Sequence, residues 1–164
     1  MELPRRKRNR LSGFDYSSVG AYFVTICTEQ RVNLLCDDTA GDAVPVPNRW
    51  GSISEKYILQ IPERFPAVVV EKYVIMPNHI HLLLTIEHSE PTEAVPNLGT
   101  VIGWYKYNTT KHIRSEFDVP AGRIFQRSYH DHIVRNERDF WKIWEYIDNN
   151  PAKWAEDCFY TGIK

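Results

Sequence analysis

The sequence predicts a domain of the α+β class, and three observations lead to this prediction. Four short stretches have the alternating or continuous apolar residues of β-strands, and three longer ones repeat apolar residues every three to four positions, as helices do. These stretches follow one another in the order β, α, β, β, α, β, α. With 164 residues, 43% of them hydrophobic and 25% charged, the chain has the size and composition of one globular domain.

The first part of the chain is expected to form a strand, a loop and a helix. Residues 20–28 (GAYFVTICT) are rich in β-branched and aromatic side chains, which favours a strand. Residues 35–50 contain prolines, a glycine and several aspartates, so they predict a surface loop or an irregular hairpin. Residues 52–64 repeat apolar side chains at a spacing of four, which predicts a helix with Ser52 or Ser54 as its N-cap. A proline near the end of this helix is expected to shorten or kink it.

The middle of the chain predicts a β-hairpin followed by a second helix. Strands are expected over 68–75 and 79–87, joined by a Met-Pro-Asn turn, and this hairpin would form the centre of a sheet. Two prolines then mark a linker that leads to Asn97. A helix is expected from Asn97 to about Phe117, because its apolar residues share one side.

The last third predicts a short fourth strand, or a pair of strands, and a terminal helix. The strand residues are expected within 123–129 and 132–134. Asn136 has the side chain of a helix N-cap, and Asp139 stands three residues later, in the position of a capping box. The helix that follows has an apolar stripe at the spacing i, i+3, i+4 and i+7, formed by Phe140, Ile143, Trp144 and Ile147.

This order of elements corresponds to a ferredoxin-like split βαβ fold. Its first six elements would form an antiparallel sheet with helices on one face, and the terminal helix would lie across the other face. Side chains alternate along a strand, so His79 and His81 would point to one face while Ile80 and Leu82 point to the opposite one. We therefore expect the two histidines to face the terminal helix.

Two histidines on one strand face can bind a single divalent metal ion. Their backbone positions are roughly 6–7 Å apart along a strand, so both imidazoles can converge on one ion. Imidazole suits zinc, iron and manganese, and a third ligand through oxygen would favour manganese or magnesium. The alternative is a polar patch on a half-exposed strand, and the histidine pair alone leaves both interpretations open.

Tyr146 and Asn150 lie one turn apart on one edge of the terminal helix. At about 100° per residue, they are separated by roughly 40° and lie about 90° from the apolar stripe. A hydroxyl and an amide oxygen are therefore offered together, and the expected fold would bring Tyr146 to the histidines. Tyrosines at helix edges are common, so this pair alone is a weak indication of a site.

Basic residues are concentrated in two places although the net charge is only −1. Residues 1–13 would be a flexible arm that either binds phosphates or only aids solubility, and its cations are Arg5, Arg6, Lys7, Arg8 and Arg10. In the second predicted helix, aromatic residues alternate with Lys106 and Lys111 and could stack on bases while the lysines hold phosphates, together with Arg127. The alternative is a core-facing aromatic stripe with a solvated basic face.

The three cysteines do not form a disulfide framework or a metal-ligand pattern. Cys27, Cys36 and Cys158 are odd in number and widely spaced, which fits a reducing compartment. The sequence has no signal peptide and no apolar stretch of 18 residues. We therefore expect a soluble protein of the cytoplasm without a membrane partner.

Three separated blocks of the sequence resemble one known family. The blocks are MPNHIHL at 76–82, FQRSYHDHIVRN from Phe125, and YIDNNP from Tyr146 to Pro151. In their order and spacing they are similar to the single-tyrosine HUH transposases of bacterial insertion sequences, and most similar to the REP-associated branch. The resemblance covers roughly residues 14–155.

The resemblance implies a metal-dependent transposase that cleaves and rejoins single-stranded DNA, often at hairpin-bearing ends. His79 and His81 would be ligands of magnesium or manganese, and Tyr146 would be the nucleophile that forms a 5′-phosphotyrosine. Asn150 stands where related enzymes place a third ligand, often a glutamine. The family includes dimers, whereas the REP-associated branch includes monomers, so a homodimer stays open. Two other hypotheses are a non-catalytic nucleic-acid-binding module and a small metal-dependent hydrolase.

Overall fold

Four antiparallel strands form the central sheet of the protein. The computed structural model describes residues 19–37, 44–88 and 94–159. Within these residues the strands are β1 (Gly20–Cys27), β2 (Val68–Ile75), β3 (His79–Ile86) and β4 (His130–Val134). They lie side by side in the order β2-β3-β1-β4, and each neighbouring pair is antiparallel.

Helices connect the strands in the order that the sequence predicts. They are α1 (Arg49–Leu59), α2 (Ile61–Arg64), α3 (Leu98–Glu116) and α4 (Glu137–Asn149), with short 3₁₀ turns at Glu29–Arg31 and Pro151–Glu156. This arrangement confirms the ferredoxin-like α+β fold with a helix after the last strand. Among the helices of the described ranges, none has both the length and the hydropathy that are needed to cross a membrane.

The two faces of the sheet are built from alternate residues of the same strands. The even-numbered residues of β3 lie in a large apolar cluster with side chains of α1 and α3. Leu83, an odd-numbered residue, lies instead in a second cluster with two buried isoleucines of α4. His79 and His81 are also odd-numbered, so they point to the α4 face, as the alternation of the strand predicts.

The N-cap predicted for α1 is wrong. The helix begins three residues earlier than expected, because the Asn48 side chain accepts hydrogen bonds from two first-turn N–H groups at 2.9 and 3.1 Å. Ser52 and Ser54 lie inside the helix. Gly51 permits this earlier start, since a Cβ at that position would be 2.2 Å from the Leu35 carbonyl oxygen.

Two further expectations about the sheet need correction. The predicted hairpin is not the centre of the sheet, because β1 lies between β3 and β4 and leaves β2 at one edge of the described sheet. The fourth strand is also shorter than expected. Most of residues 123–129 form no strand, and Phe125 makes only an isolated bridge with Thr28. The expected kink at Pro62 is confirmed, because that proline lies in the first turn of the separate helix α2.

Candidate active site

The turn between β2 and β3 is held in place by hydrogen bonds from the loop that follows β1. The backbone N–H groups of Leu34 and Leu35 donate to the Pro77 carbonyl at 2.9 and 3.0 Å. The Thr28 backbone N–H and hydroxyl donate to the Asn78 carbonyl at 2.9 and 3.1 Å. The backbone immediately before His79 is therefore fixed from outside its own hairpin.

His79 and His81 are completely buried and lie beside each other. Their exposed fractions are 0% and 1%, and their ring centroids are 4.5 Å apart. The Nδ1 of His79 lies 2.9 Å from the Asn78 Oδ1, and the Nδ1 of His81 lies 2.8 Å from the Thr25 hydroxyl. An amide oxygen only accepts, so His79 carries its proton on Nδ1 and has a lone pair on Nε2. Such outer partners orient histidines that ligate metals.

The electrostatic environment keeps both imidazoles neutral at pH 7. Burial lowers the pKa of His79 to about 4, while the Asp157 carboxylate and the Asn150 side chain act in the opposite direction. Burial also lowers the pKa of His81 well below its usual range, and its neighbour His79 contributes in the same direction. Neutral imidazole is the form that binds a metal ion, so neither residue must lose a proton first.

Helix α4 places Tyr146 against the histidine pair. The Tyr146 ring centroid is 5.3 Å from that of His81 and 6.0 Å from that of Phe23, which it meets edge-on. The side chain is 43% exposed, so one edge stays open to solvent. Burial raises the pKa of Tyr146, and the charge of Asp157 raises it further, so the hydroxyl is protonated at neutral pH.

The segment after α4, residues 151–159, packs against His79 and His81. The rings of Trp154 and Phe159 lie 5.9 and 4.6 Å from that of His79. The Phe159 carbonyl accepts a hydrogen bond from the Asn78 Nδ2 at 2.7 Å. The same segment brings the carboxylate of Asp157 close to the pair, and His79, His81 and Asp157 have ligand atoms within 4.8 Å of one another.

The polar atoms at this site fit a divalent metal ion. Within the described part of the chain, the Nε2 atoms of His79 and His81 and the Oδ1 of Asn150 are buried without a hydrogen-bond partner. Buried polar atoms are nearly always bonded, so these three atoms are available to a ligand that binds at the site. Each offers a lone pair, and nitrogen with oxygen ligands is a donor set that manganese accepts.

A cleft of about 510 Å³ opens beside Tyr146. It lies between α4 and the 151–159 segment, and the Tyr146, Asn150 and Asp157 side chains line it together with Lys142 and Lys153. Lys142 is one helical turn before Tyr146, so a cation flanks the hydroxyl on the helix. The sequence shows that Lys142 and Tyr146 are four residues apart, but exposed lysines are so common on helices that this spacing does not indicate a site.

A second cleft, of about 480 Å³, contains the other predicted DNA-binding residues. Lys106, Lys111 and Arg127 line it together with Arg114 and Arg123, and no carboxylate of the described residues does. The Nζ of Lys106 donates to the carbonyls of residues 126 and 127, at 2.6 and 3.1 Å, so this lysine holds the loop. We call this surface the basic groove.

Aromatic residues of α3 divide between the core and the basic groove. Tyr105 is completely buried and Trp104 packs against Phe65, so these two follow the core-facing alternative. Tyr107 is 65% exposed and lies in the groove with the Lys111 ammonium 6.0 Å from its ring. Of the three aromatic side chains, Tyr107 is therefore the one with a face available for stacking.

Some of the predicted residues lie away from the site or outside the described structure. The arm cations Arg5, Arg6, Lys7, Arg8 and Arg10 fall outside the described residues. Tyr129 stands near His130 and His132 in the sequence and is therefore the other tyrosine to consider as the nucleophile. It is 7% exposed and lies in the cluster on the α1 and α3 face, opposite to the histidines of the site. Asp157 and Thr25 contact the histidines and were not predicted, because neither has a recognisable spacing from them.

The fold and the site define a class of protein, in which a buried histidine pair on a small antiparallel sheet faces a tyrosine on the helix after the last strand. The family model described as transposase IS200-like matches residues 16–150 of this chain. The chain therefore belongs to the IS200-like transposase family, as the resemblance of its sequence blocks predicts.

Two proteins and one solved structure are similar to this chain over most of its length. An uncharacterized protein of Haemophilus influenzae is 29% identical, over 97% of this chain and 95% of its own length. A second protein of the same organism, named a putative REP-associated tyrosine transposase, is 25% identical over 92% of this chain and 85% of its own. The solved structure of a REP-associated tyrosine transposase bound to a REP hairpin has a TM-score of 0.60 and 19% identity, over 82% of this chain and 68% of that one. This last likeness shows the fold.

Proposed function

We propose that the protein cleaves and rejoins single-stranded DNA through a covalent bond between Tyr146 and a DNA phosphate. The contact of Tyr146 with the ring of His81 supports this proposal most directly, because it joins a nucleophile to a candidate metal site. Membership of a transposase family supports DNA as the substrate. A DNA substrate in turn favours action in the cytoplasm.

His79 and His81 would hold a magnesium or manganese ion through their Nε2 atoms, with the Oδ1 of Asn150 as an oxygen ligand. The unpartnered state of these three buried atoms supports this assignment. When bound, the ion polarises a non-bridging oxygen of the scissile phosphate and offsets the charge of the transition state. Imidazole ligands favour manganese over magnesium, since magnesium prefers oxygen.

The Tyr146 side chain would carry out the covalent step. Its oxygen attacks the phosphorus and loses its proton, while the O3′ of the neighbouring nucleotide leaves and takes up a proton as a 3′-hydroxyl. The products are a 5′-phosphotyrosine and a free 3′ end. The 3′-hydroxyl of a second strand can reverse this step, so that rejoining requires no nucleotide cofactor. Lys142 and Lys153 would hold the flanking phosphates in the cleft beside Tyr146.

The basic groove would bind the remainder of the DNA. Lys111 and Arg127 offer cations to phosphates, and Tyr107 offers an exposed ring on which a base can stack. The groove is joined to the histidines through β1, because the Gln126 N–H donates to the Cys27 carbonyl and Cys27 is paired with His79. A hairpin ligand is proposed by analogy with the solved relative that is bound to one.

The experiment uses one DNA strand with a hairpin and a single-stranded flank, labelled at its 3′ end, incubated with the protein and manganese. We expect a labelled protein band that survives denaturation, because the fragment on the 3′ side of the cut stays attached to Tyr146. The same strand labelled at its 5′ end should give a shorter free product. Tyr146→Phe removes only the hydroxyl, so both products should disappear while DNA binding persists.

Tyr129→Phe is the matched control, because it removes one hydroxyl from the opposite face of the sheet and should leave the adduct intact. An adduct that persists in Tyr146→Phe, or that peptide mapping places at Tyr129, would contradict the assignment of the nucleophile. Cleavage without any adduct would favour the metal-dependent hydrolase. Binding without cleavage in manganese would favour the non-catalytic module.

A further inference from the structure

Asp157 places a buried carboxylate beside the two histidines. Its side chain is only 2% exposed, and its Oδ2 lies 4.0 Å from the Nε2 of His79. The same Oδ2 accepts a hydrogen bond from the Asn150 Nδ2 at 2.8 Å, and its Oδ1 accepts one from the Phe159 N–H at 2.7 Å. The position of this carboxylate is therefore fixed by two donors on either side of it.

The charge of this buried carboxylate is not neutralised by direct contact with a lysine or an arginine of the described residues. No lysine or arginine of residues 19–37, 44–88 and 94–159 forms a salt bridge with Asp157. Burying a carboxylate without a counter-charge is costly, and a divalent cation would remove that cost.

The separation of His79 and Asp157 suits a shared ion. Two ligand atoms that each lie about 2.1 Å from one ion are separated by roughly 3 Å at right angles and roughly 4.2 Å on opposite sides. The separation of 4.0 Å between His79 Nε2 and Asp157 Oδ2 falls within this range. Both Nε2 atoms are also free of hydrogen bonds in the described structure.

We propose that Asp157 is a ligand of the same metal ion as His79 and His81, and that Asn150 orients its carboxylate. This inference rests on the proposed function, because it concerns the metal of that site. A carboxylate ligand shifts the preference of the site further toward manganese and magnesium. Since Asp157 belongs to the 151–159 segment, metal binding would also hold this segment against β3.

The experiment measures manganese binding to the full chain without DNA, by calorimetry, after removal of bound metal with a chelator. Asp157→Asn keeps the size of the side chain but removes its charge, and we expect its affinity for manganese to fall at least about tenfold. Glu156→Gln is the matched control, since it removes an exposed charge one residue away and should bind as the wild type does. His79→Ala should lose measurable binding.

Hydrogen exchange gives a second readout that does not depend on activity. In the wild type, manganese should slow exchange of the backbone amides of residues 151–159, and in Asp157→Asn this protection should disappear. Wild-type affinity and protection in Asp157→Asn would overturn the role of Asp157, while an intact DNA adduct would still support the proposed function. If the wild type bound no manganese and formed no adduct, the proposed function itself would fail.

Discussion

The two faces of the central sheet bury very different side chains. On the face toward α1 and α3, β3 contributes Ile80, Leu82 and Leu84, all completely buried in apolar surroundings. On the face toward α4 the same strand contributes His79 and His81, also completely buried. Apolar burial stabilises the fold, whereas a buried polar group costs about 1–3 kcal/mol unless it is bonded. The first face therefore supports stability, and the second carries the buried polar groups of the candidate site.

Helix α4 connects these two roles. Ile143 and Ile147 are buried against Leu83, and each such side chain stabilises the folded state by about 1.5–3 kcal/mol. Their burial fixes the rotation of the helix, and this rotation places Tyr146 and Asn150 at the histidines. The apolar contact of Ile143 and Ile147 with Leu83 thus positions the candidate nucleophile Tyr146.

The largest effect is expected from removing the histidines. In the double variant His79→Ala and His81→Ala, adduct formation should fall by more than about 10³-fold, because no pair of imidazoles remains to hold the metal. The fold should persist, since neither side chain contributes apolar burial to the α1 and α3 face. The measurement is the yield of denaturation-resistant adduct in metal-depleted buffer with added manganese. Undiminished cleavage under these conditions would rule out the metal assignment.

Replacing Leu82, next to His81 but on the opposite face of the sheet, should lower stability and leave metal binding unchanged. Leu82→Ala leaves a cavity in the large apolar cluster and should lower the free energy of unfolding by about 2–5 kcal/mol. The manganese affinity of the molecules that remain folded should not change. Urea denaturation followed by circular dichroism gives the stability, and calorimetry under native conditions gives the affinity. Equal losses of affinity in Leu82→Ala and the histidine variant would remove the distinction between the faces.

The different character of the two sheet faces can be predicted from the sequence, because it depends on the order of residues within single elements. Alternation within β3 is enough to separate His79 and His81 from Ile80 and Leu82, and the spacing of apolar residues in α4 is enough to orient Tyr146. The Asn136 cap was predictable for the same reason, and the structure confirms it with a bond of 2.8 Å to the Asp139 N–H.

Other features depend on contacts between distant parts of the chain, and the sequence does not indicate them. Asn48 rather than a serine caps α1. The first turn of this helix packs against the Leu35 carbonyl, and only a glycine at position 51 leaves room for that contact. Thr25 reaches His81 only through the register of β1 with β3. Asp157 reaches the site through an irregular segment that has no periodicity from which its direction could be read.

Thr25 allows a test of how far the α4 face depends on such partners. Thr25→Val keeps the shape of the side chain but removes the hydroxyl that lies 2.8 Å from the Nδ1 of His81. We expect manganese affinity to fall about 10–100-fold, because the imidazole loses the group that orients it. Thr85→Val is the control, since Thr85 bonds to Glu71 and not to a histidine. An equal change of affinity in both variants would show a general effect of the sheet.

The smallest effect is expected in the basic groove, which would bind phosphates without affecting chemistry. Lys111→Ala and Arg127→Ala should each reduce the slope of log affinity against log salt concentration by about 1, because each removes one phosphate contact. Lys56→Ala is the control, since Lys56 is exposed on α1 and does not line the groove.

Deleting residues 1–10, with their five cations between Arg5 and Arg10, should flatten the slope further if the arm binds DNA. Fluorescence anisotropy of a labelled hairpin strand at several salt concentrations measures the slope. An unchanged slope in the groove variants would place the DNA elsewhere, and an unchanged slope after the deletion would show that the arm does not touch it.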